Sequence, residues 1–173
     1  SNLLLNSDCL MKVADFGLAR SFAGTRDADG SAKLETGAPD IDPDAVEVVF
    51  TDYIATRWYR APEILYGAHA YDGRALDMWG AGCVLGEMVG GGVLFPGDND
   101  IDQVYRVMQV LGTPTAASWP RWREMPDHGK VGFEEMAPFG VGRLVGSVRA
   151  AAMPGLLELL EQLLSWDAAR RPS

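Results

Sequence analysis

Cysteine is scarce in this chain of 173 residues, with only Cys9 and Cys83 present. The two thiols have no metal-ligand spacing and cannot build a disulfide framework, which favours a reducing, intracellular setting. Histidine is equally scarce. His69 and His128 have no metal-ligand neighbours and read as surface or turn residues. No long apolar run exists. The longest candidate, Ala75 to Val89, is interrupted by Asp77, Glu87 and several glycines, so neither a membrane span nor a membrane partner is expected. Basic charge is in deficit, with 15 Lys and Arg against 24 Asp and Glu, and the net charge of −9 argues against nucleic acid as a partner. No secretory signal is visible. The chain opens on Ser1 rather than Met, so further sequence upstream is expected.

What is present suits a packed domain or part of one, because hydrophobic residues make up 47% of the chain. Leu3-Leu4-Leu5 and Leu10-Met11-Lys12-Val13-Ala14 flank the turn signal Asn6-Ser7-Asp8, which predicts two short strands joined by a tight turn. Residues 24–47 carry seven acids against two bases, a net of −5, among Gly24, Gly30, Gly37, Pro39 and Pro43. That composition without periodicity predicts a flexible, disordered acidic insert over about 24–50.

From residue 75 the pattern becomes helical. Leu76, Trp79, Cys83 and Met88 among small residues predict a helix buried on most sides. After Pro96-Gly97, the positions Ile101, Val104, Tyr105, Met108 and Leu111 predict a second helix with acids at its start and Gly112 at its end. Residues 113–140 hold four prolines and read as an irregular, ordered excursion anchored by Trp119 and Trp122. A last helix is expected from about Pro154 to Trp166, with Leu156, Leu157, Leu160, Leu163 and Leu164 as its apolar face.

The chemistry-bearing residues come in order. Asp15-Phe16-Gly17 follows the second predicted strand. Alone it reads as a strand-ending turn. With Asn2 upstream, Ala61-Pro62-Glu63 downstream and then Asp77-Met78-Trp79-Gly80-Ala81-Gly82, the set resembles the signature of eukaryotic protein kinases. Phosphoryl transfer concentrates negative charge on ATP phosphates, and Mg²⁺ requires hard oxygen ligands. Asp15 offers a carboxylate and Asn2 an amide oxygen for such a metal. The segment Thr51 to Glu63 resembles the activation and substrate-positioning segment of the proline-directed group, which contains cyclin-dependent and mitogen-activated kinases. Leu65-Tyr66-Gly67-Ala68, Leu94 to Ile101 and Leu111 to Pro114 resemble most closely the cell-cycle-related kinase branch. The resemblance covers nearly the whole chain except residues 24–50.

The resemblance implies an α+β kinase fold, of which residues 1–173 are the mainly helical C-terminal lobe with a β-hairpin at its start. The activation segment would span 15–63, and a group-specific insert about 113–140. It implies a serine/threonine kinase that transfers the ATP γ-phosphate to protein hydroxyls followed by proline. Asn2 and Asp15 would serve catalysis as metal ligands, and Leu4 would lie under the adenine, with simple core packing as its other reading. Thr51 would be the activation phosphosite, with Tyr53 as a second candidate; single and dual phosphorylation both remain open, as does an unmodified Thr51. Arg20 would bind that phosphate. Thr56 would hydrogen-bond the catalytic base, and Arg60 would serve the pocket for the substrate proline. Glu63 and Arg171 would pair, and Asp77 would accept backbone N–H groups of the catalytic loop. The implied partners are Ser/Thr-Pro protein substrates, a cyclin or other activator, and an upstream activating kinase. The implied location is cytoplasmic or nuclear, with a ciliary association.

Several departures from the family pattern stand out: Gly80 where serine is usual, Ala168 where proline is usual, and the acidic insert. The Gly-rich loop, the strand lysine, its glutamate partner and the His-Arg-Asp base do not occur in these 173 residues. These residues alone are therefore expected to transfer no phosphate. The alternative to part of an active kinase is a truncated or catalytically dead kinase-like module that binds or regulates.

Overall fold

A computed structural model describes residues 2–16, 56–69, 71–146 and 155–172. The chain divides into two compact units, Ser1–Pro39 and Asp40–Ser173. In the first, strands β1 (Leu3–Leu5) and β2 (Met11–Val13) form an antiparallel hairpin with Leu3 opposite Val13 and Leu5 opposite Met11. Asn6 closes the turn: its Oδ1 accepts from the backbone N–H of Asp8 (3.1 Å) and of Leu10 (2.8 Å). The side-chain amide thus stands in for a backbone turn, which is why asparagine is favoured there.

The second unit is helical in its regular elements. It contains α1 (Pro62–Leu65), α2 (Gly73–Gly90), α3 (Asp100–Leu111), α4 (Val141–Leu144) and α5 (Leu156–Leu163), with short 3₁₀ turns at Arg57–Tyr59, Trp122–Glu124 and Ala168–Arg170. The described residues, mostly helical with one short hairpin, match the architecture of a kinase C-terminal lobe. Helix α2 begins two residues before the expected start, because Asp72 caps it by accepting from Arg74 N–H at 2.9 Å. It ends at Gly91, whose φ of 81° suits the left-handed cap.

Helix α2 buries Ala75, Trp79, Gly82, Cys83 and Gly86, a stripe of mainly small residues. The expectation of burial on most sides fails at Met88, which is 76% exposed. Small residues let α5 come close. A Cβ on Gly82 would lie 2.8 Å from Leu163 Cβ, so only glycine fits this crossing. Helix α3 buries Val104, Val107, Met108 and Val110, whereas Ile101 and Tyr105, expected on the apolar face, are exposed. Its buried face is therefore rotated from the one the periodicity suggested.

Helix α5 is shorter than expected. It starts at Leu156 after Gly155, which has a φ of 84°, and ends at Leu163; Pro154 lies outside the described residues. Leu160, Leu163 and Leu164 are buried, and Leu156 and Leu157 pack partly against the core.

Aromatic side chains order the core. Trp79 stacks on Phe95 with centroids 5.7 Å apart, Trp119 stacks on Trp166 at 5.8 Å, and Tyr66 meets Trp119 edge-on at 5.5 Å. Such pairs contribute roughly 0.5–1.5 kcal/mol each beyond the area they bury. The excursion over 113–140 is tied down by backbone bonds, including Thr113 N–H to Met136 O (3.0 Å), Asp127 N–H to Tyr66 O (3.1 Å) and Phe139 N–H to Gln109 O (2.9 Å). Trp119 is its buried anchor. Among the described residues no helix is long and apolar enough to cross a membrane.

Candidate functional site

The hairpin explains how two residues thirteen positions apart come together. Leu3 pairs with Val13, and the ladder continues with Ala14 N–H donating to Asn2 O at 2.8 Å. Asn2 and Asp15 therefore leave the same end of the hairpin on neighbouring strands. The Asn2 side-chain N–H donates to Asp15 Oδ2 at 3.4 Å. That bond engages the amide nitrogen of Asn2 and leaves its amide oxygen for another partner.

Asp15 has a φ of 67°, in the left-handed region that few side chains other than asparagine and aspartate adopt readily. Backbone of this kind stores on the order of 1 kcal/mol and concentrates where a side chain must be aimed. Both residues are exposed. One carboxylate and one amide oxygen side by side are hard donors, so the pair fits a cation of the Mg²⁺ type rather than a soft metal. Among the described residues no cluster of three or more His, Cys, Asp or Glu could hold a metal ion by itself. Leu4 on β1 is 55% exposed.

The second constellation lies in the helical unit around the 3₁₀ turn Arg57–Tyr59. Thr56 caps the turn by its backbone, with its carbonyl accepting from Tyr59 N–H at 2.9 Å, and its hydroxyl makes no capping bond. Arg57 Nε donates to Asp100 Oδ1 at 2.9 Å, and its Nη1 donates to Asp98 O at 3.0 Å. Arg60 is buried and donates through Nη1 to the same Asp100 oxygen at 3.0 Å. Trp58 Nε1 donates to Gly97 O at 3.1 Å.

Gln103, fully buried, bridges the same two segments: its Oε1 accepts from Gly97 N–H at 3.0 Å and its Nε2 donates to Trp58 O at 3.4 Å. Tyr59 donates its hydroxyl to Glu87 Oε2 on α2 at 2.8 Å. Burial, then this bond to a carboxylate, pushes the Tyr59 phenol up to about 12.

Helix α3 is prepared for its role by its own first turn. Asn99 caps it by accepting from Asp102 N–H at 2.9 Å. Asp102 accepts from Asp98 N–H at 2.9 Å and from Arg106 Nε at 2.9 Å. The backbone N–H first, and then the guanidinium, hold the Asp102 carboxyl below the ordinary range. The carboxylates of the first turn also suit the positive end of the helix dipole.

A third set is structural. Arg171 Nη1 and Nη2 donate to the two Glu63 carboxylate oxygens at 2.7 and 2.8 Å, a two-pronged pair with both residues buried. Arg171 also donates to Ala75 O at 2.9 Å, Ser165 O at 3.1 Å and Trp166 O at 3.4 Å, and lies 5.2 Å from the Trp79 ring centre. One guanidinium therefore joins α1, α2 and the C-terminal turn. Asp77 is exposed on α2. Arg20, Thr51 and Tyr53, together with the insert over 24–50, lie outside the described residues.

Sequence reasoning did not single out Asp100, Gln103, Tyr59 or Glu87. Acids at the start of α3 mark the start of the helix in the sequence, but nothing local indicates that Asp100 faces two arginines some forty positions upstream.

The protein kinase domain family matches residues 1–173. The chain is 40% identical over 171 residues to cyclin-dependent kinase 20 of Pongo abelii, covering 99% of this chain and 42% of that protein. It is 37% identical to cyclin-dependent kinase 7 of Xenopus laevis, over 99% of this chain and 41% of that protein. Mitogen-activated protein kinase mpkA of Aspergillus fumigatus is 35% identical, over 99% of this chain and 36% of that protein. The chain thus spans about two fifths of the length of the curated relatives it matches. With the protein kinase domain matching residues 1–173, a mainly helical lobe and relatives among the cyclin-dependent and mitogen-activated kinases, the chain belongs to the protein kinase domain family, in its proline-directed group.

Proposed function

We propose that the protein to which these residues belong transfers the γ-phosphate of ATP to serine or threonine hydroxyls that precede proline. The observation that carries this reading is the Asn2–Asp15 pair, brought to one hairpin end by strand register and bonded at 3.4 Å. Asp15 and Asn2 would hold Mg²⁺, which supplies positive charge against the phosphate oxygens. Leu4 offers an exposed apolar side chain on β1 to the flat face of a nucleotide base.

Thr56 hydrogen-bonds the catalytic base, and Arg60 serves the pocket for the residue after the hydroxyl, where proline is favoured because it has no N–H to leave unsatisfied. Removal of the hydroxyl proton falls to a base that the 173 residues do not contain. Phosphorylation of Thr51 by an upstream kinase would place a doubly charged group near Arg20 and order the segment. A cyclin or comparable activator is the proposed partner.

The test uses the full-length protein. Asp15→Asn should lower ATP-dependent phosphorylation of a Ser-Pro peptide by at least about 100-fold, the scale of losing a preorganised electrostatic group. Near-wild-type turnover would remove Asp15 from the site. A wild-type protein that binds ATP with Mg²⁺ yet transfers nothing would instead be a kinase-like binding module.

A further inference from the structure

The segment before Ala61 is held by a part of the molecule to which the proposed chemistry assigns no role. Three successive donor groups, Arg57, Trp58 and Arg60, converge on residues 97–100. Asp100 receives Arg57 Nε at 2.9 Å and Arg60 Nη1 at 3.0 Å on one oxygen. The Arg60 side chain is only 9% exposed, whereas that of Asp100 is 56% exposed. A guanidinium taken out of water needs a compensating charge. Asp100 supplies it at the edge of the protein, where its own carboxylate stays hydrated.

The loop that presents Asp100 has little freedom. A Cβ on Gly97 would lie 2.6 Å from Gln103 Cα, and Gln103 bonds both Gly97 and the Trp58 carbonyl. Helix α3 and the segment Arg57–Arg60 therefore form one clamped unit.

We infer that Asp100 is a positioning residue for acceptor selection: by holding Arg57 and Arg60 together it fixes the shape that the segment Thr56–Arg60 presents to the residue after the phosphorylated hydroxyl. The inference rests on the proposed transfer to proline-directed sites. Without the carboxylate, buried Arg60 loses the charge partner on α3, and the neighbouring backbone is free to adopt shapes that accept other residues.

The experiment measures kcat and KM of the full-length protein on matched Ser-Pro and Ser-Ala peptides. Asp100→Asn keeps size and an acceptor oxygen but removes the charge. The Ser-Pro to Ser-Ala ratio of kcat/KM should fall about tenfold, carried by KM rather than kcat. Asp100→Glu, which keeps the charge, should restore most of the ratio. An equal loss on both peptides, or an unchanged ratio, overturns the positioning role. If Asp100→Asn lowers the melting temperature too far to assay, Arg57→Gln reads the same ratio from the more exposed partner; a fall supports the role and no change overturns it. A wild-type protein indifferent to proline would overturn the underlying transfer reading and this inference with it.

Discussion

In the hairpin Leu5 is 69% exposed and Phe16 70%, whereas in the helical unit Trp79, Phe95 and Leu160 are 0% exposed. Leu3, Leu4, Leu10, Met11 and Val13 are exposed as well. A two-stranded hairpin is marginal by itself, and an apolar surface of this kind is one that water disfavours. The helical unit buries Trp79 against Phe95 and Trp119 against Trp166 and has a core of its own. The difference lies in how polar residues are held. The Asn2–Asp15 pair stands on an element with little burial, held by ladder bonds and the Asn6 turn. In the helical unit, buried Arg171 is held by Glu63 and by three backbone carbonyls.

That contrast can be broken from either side. The largest effect should come from Arg171→Ala, which leaves the Glu63 carboxylate buried without its partner. A loss of about 3–5 kcal/mol is expected for breaking such a pair from one side. Denaturant unfolding of the chain would measure it, and a loss under 1 kcal/mol would mean that the pair is not central to the helical unit.

A smaller effect is expected from Gly82→Val, where the added side chain meets Leu163 and Leu164 across the α2–α5 crossing. Overpacking of this kind typically costs about 1–3 kcal/mol. A melting temperature equal to that of the unsubstituted chain would show that the helices can separate freely. The smallest effect belongs to the hairpin. Leu5→Ala should change the unfolding free energy by no more than about 0.5 kcal/mol, as for an exposed side chain. A loss comparable to that of Gly82→Val would show that the hairpin is covered in solution and would erase the contrast.

Much of the local structure was legible in the residues themselves. Two runs of β-prone residues around Asn6-Ser7-Asp8 specify a hairpin, and the acids after Pro96-Gly97 together with Gly112 bound α3. Motif order relates Asn2 to Asp15, and the hairpin register makes the two side chains neighbours. The orientation of helix faces was less legible. Met88, Ile101 and Tyr105 fit an apolar period, yet lie at the surface.

The amino-acid sequence by itself determined the family and the order of the main local elements, because these rest on local patterns or on spaced motifs; the family resemblance also implied the Glu63–Arg171 pairing, which the structure shows. Only the tertiary structure decided which face of α2 and α3 turns inward, since that depends on where glycines such as Gly82 let a neighbouring helix approach. It alone also brought Asp100 to Arg57 and Arg60, 43 and 40 positions away. No periodicity spans such a separation; the contact exists because α3 packs beside the turn that carries the arginines, and a buried guanidinium then fixes which carboxylate it must meet.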